Sequence, residues 1–391
     1  MPGFELIDDR EREAVNEVFD RGGVFFRHGF DAMRRNIFKV REFEDAFARA
    51  LGARYAQSVT SGTAALKVGL KALGIGPGDE VVTQAHTFVA TVEAILECGA
   101  TPIVSDIDWT LNMDPSDLER RITPRTKAII PVHMLGGPAR LAEITRIADA
   151  RGIPVLEDTA QGLGGQYRGK WLGTIAKVGT FSFDHGKVLT TGEGGMVVTD
   201  DEEIFLRARA YHDHGHESNP NFPRGEDTRQ AGGFNYRMME LQGAIGLVQL
   251  SKLPHALERQ RANKAQIKRA LARIPGIRFR ELPDEPGDAG DCLVFFLETP
   301  EAAKTVAGDL AKQGIGFKNL PGAVDWHFAG TWDHLFTGHP VYGTTPASAL
   351  WPESERILRS AIALPIMVKM EPAQIDKLIT NVTRVLEAVC Q

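Results

Sequence analysis

Short apolar segments alternate with amphipathic ones through the first half of the chain. Apolar stretches of strand length lie at 55–60, 80–83, 101–107, 127–133, 153–158, 178–183 and 196–199. Between them, segments with helical spacing of apolar residues begin at residues 62, 88 and 138. Strands joined by whole helices pair in parallel through crossover connections, so the pattern predicts a three-layer α/β sheet.

The two ends of the chain follow other patterns. Residues 11–20 and 41–51 have helical spacing, and the segment 21–39 between them is rich in glycine, aromatics and arginine. We expect that segment to pack over a site or a partner subunit, because it is too apolar for an idle loop and too irregular for a helix. Beyond residue 251 the pattern changes to a basic helical run, followed by predicted strands at 277–282 and 292–298 and predicted helices at 300–313 and 372–389.

These patterns predict two domains. A chain of 391 residues exceeds what one hydrophobic core usually supports. We predict a large domain over residues 1–250, which includes an N-terminal arm, and a small C-terminal α+β domain over residues 251–391.

Composition excludes several classes of protein. A net charge of −6 and a pI near 6.0 give no indication of nucleic-acid binding. The longest apolar runs have strand length, and no basic region followed by an apolar segment opens the chain, so we expect no membrane association and a cytoplasmic location. The cysteines Cys98, Cys292 and Cys390 are widely spaced, which predicts neither a disulfide framework nor a zinc site.

A candidate reactive lysine follows one of the predicted strands. The buried strand at 178–183 leads into a polar turn that carries Lys187, and the glycine-rich segment Thr190–Gly195 comes next. A lysine amine whose surroundings lower its pKa can form a Schiff base with an aldehyde. The alternative is an ordinary exposed lysine, and this stretch alone does not decide between the two.

Other strand ends carry groups that suit a bound cofactor. The segment Ser61-Gly62-Thr63 opens a helix, where exposed N–H groups and the helix dipole favour an anion such as phosphate, although Ser and Thr also cap helices without binding anything. Asp158 ends an apolar strand. If its carboxylate is buried, it needs a cation, such as a protonated pyridine nitrogen; the alternative is that it caps the next turn. Phe88 has two interpretations, an aromatic ring that lies flat on a cofactor ring and an ordinary core residue. With Lys187, these groups are what a pyridoxal phosphate site needs.

The motifs resemble those of the DegT-type aminotransferases, which are fold-type I pyridoxal phosphate enzymes acting mainly on keto sugars, often as sugar nucleotides. The resemblance runs from about residue 10 to the C-terminus and is densest in Ser61-Gly-Thr63, Thr87-Phe88, Thr123-Pro-Arg-Thr-Lys127, Val132-His133, Glu157-Asp158, Phe181-Ser-Phe183, Lys187, Gly192-Glu-Gly-Gly195 and Gly233-Phe-Asn235-Tyr-Arg237. It implies a three-layer α/β/α large domain with a mainly parallel sheet and a small C-terminal α+β domain.

The resemblance also implies roles for individual residues. Lys187 corresponds to the catalytic Schiff-base lysine, and Asp158 to the partner of the pyridine nitrogen. The remaining cofactor contacts that it implies are ring stacking by Phe88, contact of Gln161 with the ring hydroxyl, phosphate binding by Ser61, Gly62, Thr63 and Ser182, and contact of Asn235 with the phosphate of a neighbouring subunit. A homodimer with shared sites follows from that last contact. A branch that resembles dehydratases has histidine at the lysine position, so Lys187 favours transamination, with the nearby His185 as a candidate second proton carrier.

The substrates implied are L-glutamate or glutamine as amino donor and a keto sugar as acceptor. Within the family, the chain is most similar to the branch that aminates the C8 aldehyde of a keto-deoxy-octulosonate. That likeness lies in residues 1–6, 26–39, 182–184, 213–216 and 325–327. A free acid needs a carboxylate clamp, for which Arg34 or Arg35 is a candidate, and further candidate substrate contacts are His185, His214 and Trp326. The branch that makes aminohydroxybenzoate fits comparably well, and an aminocyclitol product stays open.

Two interpretations from other functional classes of protein are also open. A dinucleotide-binding oxidoreductase lacks support, because no Gly-x-Gly-x-x-Gly fingerprint follows the first strands. A regulatory protein that retains the cofactor without turnover is the other alternative. The donors in the segment His212–Glu217 resemble a metal site, but no cysteine or distant carboxylate motif completes a coordination sphere, so we predict no metal.

Overall fold

The computed structural model describes residues 3–219 and 221–389. Its helices are α1 (Asp9–Asp20), α2 (Lys39–Leu51), α3 (Gly62–Ala72), α4 (Ala90–Glu97), α5 (Pro115–Arg121), α6 (Leu141–Asp149), α7 (Glu202–Tyr211), α8 (Glu240–Leu271), α9 (Pro300–Ala311), α10 (Asp333–Phe336), α11 (Pro352–Arg359) and α12 (Pro372–Val389). Its strands are β1 (Tyr55–Val59), β2 (Glu80–Gln84), β3 (Thr101–Ser105), β4 (Thr126–Ile129), β5 (Leu156–Asp158), β6 (Gln166–Tyr167), β7 (Lys170–Trp171), β8 (Val178–Ser182), β9 (Gly195–Thr199), β10 (Arg278–Phe279), β11 (Cys292–Phe296) and β12 (Ala361–Pro365). The residues Met1, Pro2 and Cys390 of the sequence analysis lie outside the described residues.

The main sheet is mixed but mainly parallel, as predicted. Strands β3-β2-β4 form one part and β1-β9-β8-β5 the other. Parallel bridges between Ile129 and Val155 and between Val132 and Asp158 join the two parts, which gives the order β3-β2-β4-β5-β8-β9-β1. Strand β9 is the exception, since it pairs antiparallel with both β8 and β1. It follows β8 through a loop without a helix, which favours an antiparallel neighbour because parallel neighbours usually need a crossover helix.

Helix α3 begins directly after β1, at the carboxyl end of that strand. The Ser61 side chain accepts a hydrogen bond from the Ala64 N–H over 3.0 Å and caps the helix. Leu66 and Leu70 are buried on its inner face. The capping and the apolar face together aim the N-terminus of α3 at the edge of the sheet where ligands bind in α/β folds.

A second sheet lies in the C-terminal part of the chain. Strands β10, β11 and β12 pair antiparallel, and β12 was missed by the sequence analysis because it is a short apolar run without alternation. Its core joins Phe295, Leu364 and Leu386 to Ile267 and Leu271 of α8. Helix α8 is 32 residues long and crosses the predicted boundary at residue 250, so the division into domains stays a prediction.

The segment between α1 and α2 is held to the body of the protein by buried arginines. Arg27 pairs with both carboxylate oxygens of Glu44, over 2.7 and 2.8 Å, and also donates to Ser58 Oγ. Arg34 donates to the Phe26 carbonyl and lies 3.7 Å from Glu240 Oε1. Bidentate and buried pairs of this kind fix an irregular segment that lacks regular secondary structure. None of the helices in the described ranges has the length and apolar character needed to cross a bilayer.

Candidate active site

A cleft of about 400 Å³ opens at the carboxyl ends of β1, β2, β5 and β8. The residues around it include most of those that the sequence analysis selected as cofactor contacts: Ser61, Gly62, Thr63, Phe88, Asp158, Gln161, Ser182 and Lys187. The sequence analysis missed other lining residues, among them Thr91, Asn319 and His327. The polar groups at separate strand ends therefore meet at a single site.

The phosphate end of the cleft depends on a close approach between α3 and β8. A Cβ added to Gly62 would lie 2.7 Å from Ser182 Cβ and 3.1 Å from Ser182 Oγ. Glycine at position 62 therefore lets the N-terminus of α3 come up against the Ser182 hydroxyl. Backbone N–H groups, a helix dipole and a hydroxyl in one place form a donor set that suits a phosphate dianion.

Asp158 is buried at the end of β5 and points into the cleft. Its Oδ2 accepts a hydrogen bond from Thr91 Oγ1 over 2.8 Å, and its Oδ1 accepts one from the Ala160 N–H over 3.1 Å. Burial raises the pKa of the Asp158 carboxyl in spite of these donors. A carboxylate in this position is stabilised by any cation that enters the cleft, and a protonated pyridine nitrogen is such a cation.

The residue before Asp158 fixes the strand end. Glu157 is fully buried and accepts hydrogen bonds from the N–H groups of Gly173, Ile175 and Ala176 over 2.9, 2.8 and 2.7 Å. It also contacts His133 Nε2 over 3.0 Å. Because His133 Nδ1 accepts from a backbone N–H, its Nε2 carries the proton and donates to Glu157. This network holds β5 in place from behind the cleft.

Lys187 lies in the loop that follows β8. Its N–H donates to the Asp184 carbonyl over 2.9 Å, which closes a tight turn. Burial lowers the pKa of the Lys187 amine, Asp184 and Asp158 act in the opposite direction, and the Lys318 ammonium lowers it further. A lysine with a lowered pKa is a better nucleophile and a better proton carrier than an exposed one.

The C-terminal part of the chain supplies side chains to the same cleft. Asn319 Nδ2 donates to Gln161 Oε1 over 2.9 Å, and the Leu135 N–H also donates to that oxygen over 3.3 Å. Since both bonds occupy the oxygen, the Gln161 amide nitrogen is left to donate into the cleft. The His327 ring lies 5.5 Å from the Phe88 ring at an angle of 48°. Nothing in the local sequence marks Asn319, whereas His327 lies next to Trp326, which the sequence analysis selected as a candidate substrate contact.

Some predicted site residues lie away from this cleft. Asn235 is exposed, bridges to Asp213 and accepts from the Arg237 N–H over 3.3 Å. His185 stacks on Phe4 with ring centroids 5.1 Å apart. His214 is exposed in a left-handed conformation.

The other substrate candidates are also outside the lining of this cleft. Trp326 is 63% exposed beside His327. Arg34 is buried, with its guanidinium 4.3 Å from the Phe38 ring centroid as well as near Glu240. Arg35 is exposed in a left-handed turn. The structure thus gives Arg34 a packing role.

The histidine-rich segment 212–217 forms an ion-pair cluster around Asp213. Its carboxylate contacts Arg224 and Arg237 over 2.6 Å each and His28 over 2.9 Å. Burial would raise the pKa of Asp213, but the hydrogen bonds from His28, Arg224 and Arg237 outweigh it and hold the pKa well below its ordinary value. Among the residues that the structure describes, no group of three or more His, Cys, Asp or Glu side chains is arranged to hold a metal ion.

The fold and the cleft define a fold-type I pyridoxal phosphate transferase. Residues 24–383 match the DegT/DnrJ/EryC1/StrS aminotransferase family, and the chain belongs to this family. GDP-perosamine synthase of Caulobacter vibrioides is 38% identical over 271 residues, which are 68% of this chain and 69% of that protein. The spore coat polysaccharide biosynthesis protein SpsC of Bacillus subtilis is 34% identical over 362 residues, which are 89% and 90% of the two chains.

A solved structure shows the same architecture. The crystal structure of 3-amino-5-hydroxybenzoic acid synthase superposes with a TM-score of 0.84 at 27% identity, covering 98% of this chain and 97% of that one. Aminotransferases of this family depend on pyridoxal 5'-phosphate and aminate sugars. The protein is therefore a pyridoxal phosphate-dependent aminotransferase of the sugar-aminating family, and the close approach of Gly62 to Ser182 and the buried carboxylate of Asp158 fit that cofactor.

Proposed function

We propose that the protein transfers an amino group from L-glutamate or glutamine to the carbonyl of a keto or aldehyde sugar, and that Lys187 is its catalytic residue. The observation that carries this proposal is the position of Lys187 in one cleft with Asp158, where burial lowers the pKa of the amine and raises that of the carboxyl. A strongly perturbed amine and acid facing one cavity are typical of an active site. We place the activity in the cytoplasm, as the sequence predicts.

The residues have distinct tasks in this proposal. Bound pyridoxal phosphate supplies an electron sink that stabilises negative charge developing on the substrate carbon. Lys187 would hold the cofactor through its amine, and the same amine would carry a proton to and from the substrate carbon. Asp158 is held by Thr91 and Ala160 and keeps its carboxylate against the ring nitrogen, so that this nitrogen remains protonated.

Other residues hold the cofactor in place. The N-terminus of α3 and the Ser182 hydroxyl bind the phosphate, for the reason given by the close approach at Gly62. Gln161 donates from its amide nitrogen to the ring hydroxyl, since its oxygen is already occupied. Phe88 is 44% exposed toward the cleft and covers one face of the ring.

We further propose that the protein acts as a homodimer with shared sites. Asn235 is exposed and does not line its own cleft, which suits a residue that reaches the phosphate in a neighbouring subunit. Phe30, Met33 and Phe234 are each more than half exposed, and large apolar side chains with that exposure favour burial against a partner. In such a dimer, Arg35 and His214 of one subunit would approach a substrate bound in the other.

For the acceptor we propose the C8 aldehyde of a keto-deoxy-octulosonate. The support is the sequence likeness in residues 1–6, 26–39, 182–184, 213–216 and 325–327. The second candidate is an acceptor whose amination gives an aminohydroxybenzoate-type product, and the superposition on 3-amino-5-hydroxybenzoic acid synthase favours it. GDP-perosamine synthase among the relatives makes nucleotide-linked keto sugars the third group of acceptors to assay.

The test is an absorption spectrum between about 300 and 500 nm before and after addition of L-glutamate. We expect a visible band that bleaches with glutamate and returns with an accepted sugar. Lys187→Ala should lose turnover, whereas Lys170→Ala, an exposed lysine on β7, should behave as the native protein. Full transamination by Lys187→Ala would refute the catalytic assignment, and a band that never bleaches with glutamate or glutamine would favour a cofactor-retaining protein without turnover.

A further inference from the structure

The N-terminal segment Gly3–Leu6 lies directly against the loop that carries Lys187. The Gly3 N–H donates to the Lys187 carbonyl over 2.8 Å. A Cβ on Gly3 would lie 2.6 Å from that carbonyl oxygen and 2.8 Å from the Val188 carbonyl oxygen. Because both atoms belong to the backbone, they cannot rotate aside, and only glycine permits this approach.

A second contact holds the other side of the lysine. The Phe4 ring stacks on the His185 ring at a centroid distance of 5.1 Å and an interplanar angle of 20°. Residues on both sides of position 186 are thus in contact with consecutive residues of the N-terminal segment. An offset stack of this kind adds stability beyond the area that it buries.

The segment is itself tied to the rest of the protein. The Glu5 carboxylate accepts hydrogen bonds from the N–H groups of Val368 and Lys369 over 3.0 and 2.9 Å. The Leu6 carbonyl accepts one from Lys252 Nζ over 2.6 Å, and Lys252 is fixed by Glu11 over 2.6 Å. The N-terminal segment therefore joins the Lys187 loop to α8 and to the segment before α12.

The Lys187 loop receives few hydrogen bonds from outside, and its packing comes from Val188 and Leu189, which are buried in the core. Its internal bonds run from the Lys187 N–H to the Asp184 carbonyl and from the Gly186 N–H to Asp184 Oδ1, over 2.9 Å each. Within the described ranges, the backbone hydrogen bond that reaches the Lys187 peptide from outside the loop comes from Gly3. The Gly3 contact therefore adds an outside restraint to a loop whose other hydrogen bonds are mostly its own.

We propose that Gly3 and Phe4 are positioning residues for Lys187. The inference rests on the proposed role of that lysine. By holding the carbonyl of residue 187 and the ring of residue 185, the N-terminal segment restrains the backbone from which the amine reaches toward Asp158. A displacement of about 1 Å at a catalytic group can cost on the order of 100-fold in rate, so a small shift of this loop is sufficient to matter.

The experiment compares Gly3→Ala and Phe4→Ala with Gly308→Ala, which adds the same methyl group in α9 where no atom lies within 4 Å. The first readout is amide hydrogen exchange of residues 184–189 in cofactor-free protein. The others are the pH midpoint of the visible band in the loaded protein, and kcat and KM for the donor. Both N-terminal variants should exchange at least about tenfold faster in this loop and have a displaced pH midpoint, with kcat lowered on the order of 10- to 100-fold at a similar KM.

Native exchange and a native pH midpoint in both variants would overturn the inference. Should Gly3→Ala fail to fold, Phe4→Ala decides alone, because it removes an exposed ring without adding an atom to the core. The two proposals can fail separately. If the loop exchanges fast in the N-terminal variants but the Lys187→Ala enzyme is active, the catalytic role of Lys187 is refuted. If the N-terminal variants behave as the native protein and the Lys187→Ala enzyme is inactive, only the positioning role is refuted.

Discussion

Asn319 donates a hydrogen bond to Gln161 Oε1 over 2.9 Å, so a residue of the C-terminal part of the chain sets the orientation of an amide at the carboxyl end of the main sheet. The consequence is chemical as well as structural. With its oxygen engaged by Asn319 and by the Leu135 N–H, Gln161 presents a donor to the cleft, and a donor favours a cofactor oxygen over a nitrogen cation.

Two substitutions of Asn319 should show whether this residue sets the orientation of the Gln161 amide. Asn319→Ala should weaken cofactor binding by up to about tenfold, because only the longer bond from the Leu135 N–H then fixes the orientation of the Gln161 amide. Asn319→Asp should weaken it further, since a carboxylate accepts only and turns the Gln161 oxygen toward the cleft. Titration of cofactor-free protein with pyridoxal phosphate measures the affinity of both variants for the cofactor, and Asn16→Ala, at an exposed position in α1, is the control. Equal affinities for Asn319→Ala and Asn319→Asp would contradict the assigned amide orientation.

Gly62→Ala should reduce cofactor affinity through the phosphate end of the cleft. The added methyl group would lie 2.7 Å from Ser182 Cβ and must push α3 away from β8. We expect a loss of about tenfold or more in affinity for pyridoxal phosphate, with a much smaller loss for pyridoxal, which lacks the phosphate. Gly76→Ala adds a methyl group in open space and should bind both as the native protein does. A parallel loss for both ligands would place the effect elsewhere in the site.

Glu157→Gln should destabilise the protein by about 3 kcal/mol. The new NH₂ group would face backbone N–H donors that now share the carboxylate, so at least one buried donor loses its partner. The free energy of unfolding from denaturant titration gives the loss, and Glu355→Gln, which breaks only an exposed ion pair with Arg359, should change it by less than about 1 kcal/mol. An unchanged stability in Glu157→Gln would show that the network does not hold β5.

The sequence predicts the parts of the site that follow directly from strand ends. Ser61, Asp158 and Lys187 each lie at or just after the end of an apolar strand, and the common direction of β1, β5 and β8 brings these ends to one edge. The family resemblance added Gln161 and Asn235, which have no local signal of their own. The shape of the main sheet was predictable for the same reason, apart from β9, whose antiparallel direction depends on a loop in place of a helix.

The contributions of the C-terminal part could not be predicted in this way. His327 reaches the cleft because its carbonyl accepts a hydrogen bond from the Thr87 N–H over 3.0 Å, a tertiary contact between segments that are far apart in sequence. Asn319 sits in an irregular loop with no periodicity. The contact between Gly3 and Lys187 is likewise set by the folded body and not by either segment alone.

Stability should fall as the pH falls through the range set by His327. Burial, together with the Lys187 and Lys318 charges, lowers the pKa of this ring from 6.5 to about 4, against a hydrogen bond from Nδ1 to the Ala323 carbonyl. Above pH 6.5 the ring is neutral in both the folded and the unfolded chain, so it has no effect. Below that pH the unfolded chain takes up a proton first, and at pH 5 this costs the folded state about 2 kcal/mol.

The free energy of unfolding at pH 7.5 and pH 5 tests this window. His327→Gln should reduce the loss between the two pH values by about 2 kcal/mol. His86, whose pKa burial lowers to about 3, makes a contribution of the same sign that the variant leaves in place. The exposed His334→Gln should leave the pH dependence as it is. A native pH dependence in His327→Gln would mean that this ring is not held neutral by its surroundings.

Asp213→Asn should cost about 3 kcal/mol of stability, because it leaves three cationic or polar donors, Arg224, Arg237 and His28, without the carboxylate that they surround. The exposed Asp309→Asn, which breaks a surface pair with Lys312, should cost less than about 1 kcal/mol. Zn²⁺ added to the native protein should leave its thermal midpoint unchanged, since the Asp213 carboxylate already pairs with the Arg224 and Arg237 guanidinium groups. A rise in that midpoint with Zn²⁺ that disappears in Asp213→Asn would instead make the cluster a metal site, because a ligand that binds only the folded state stabilises it.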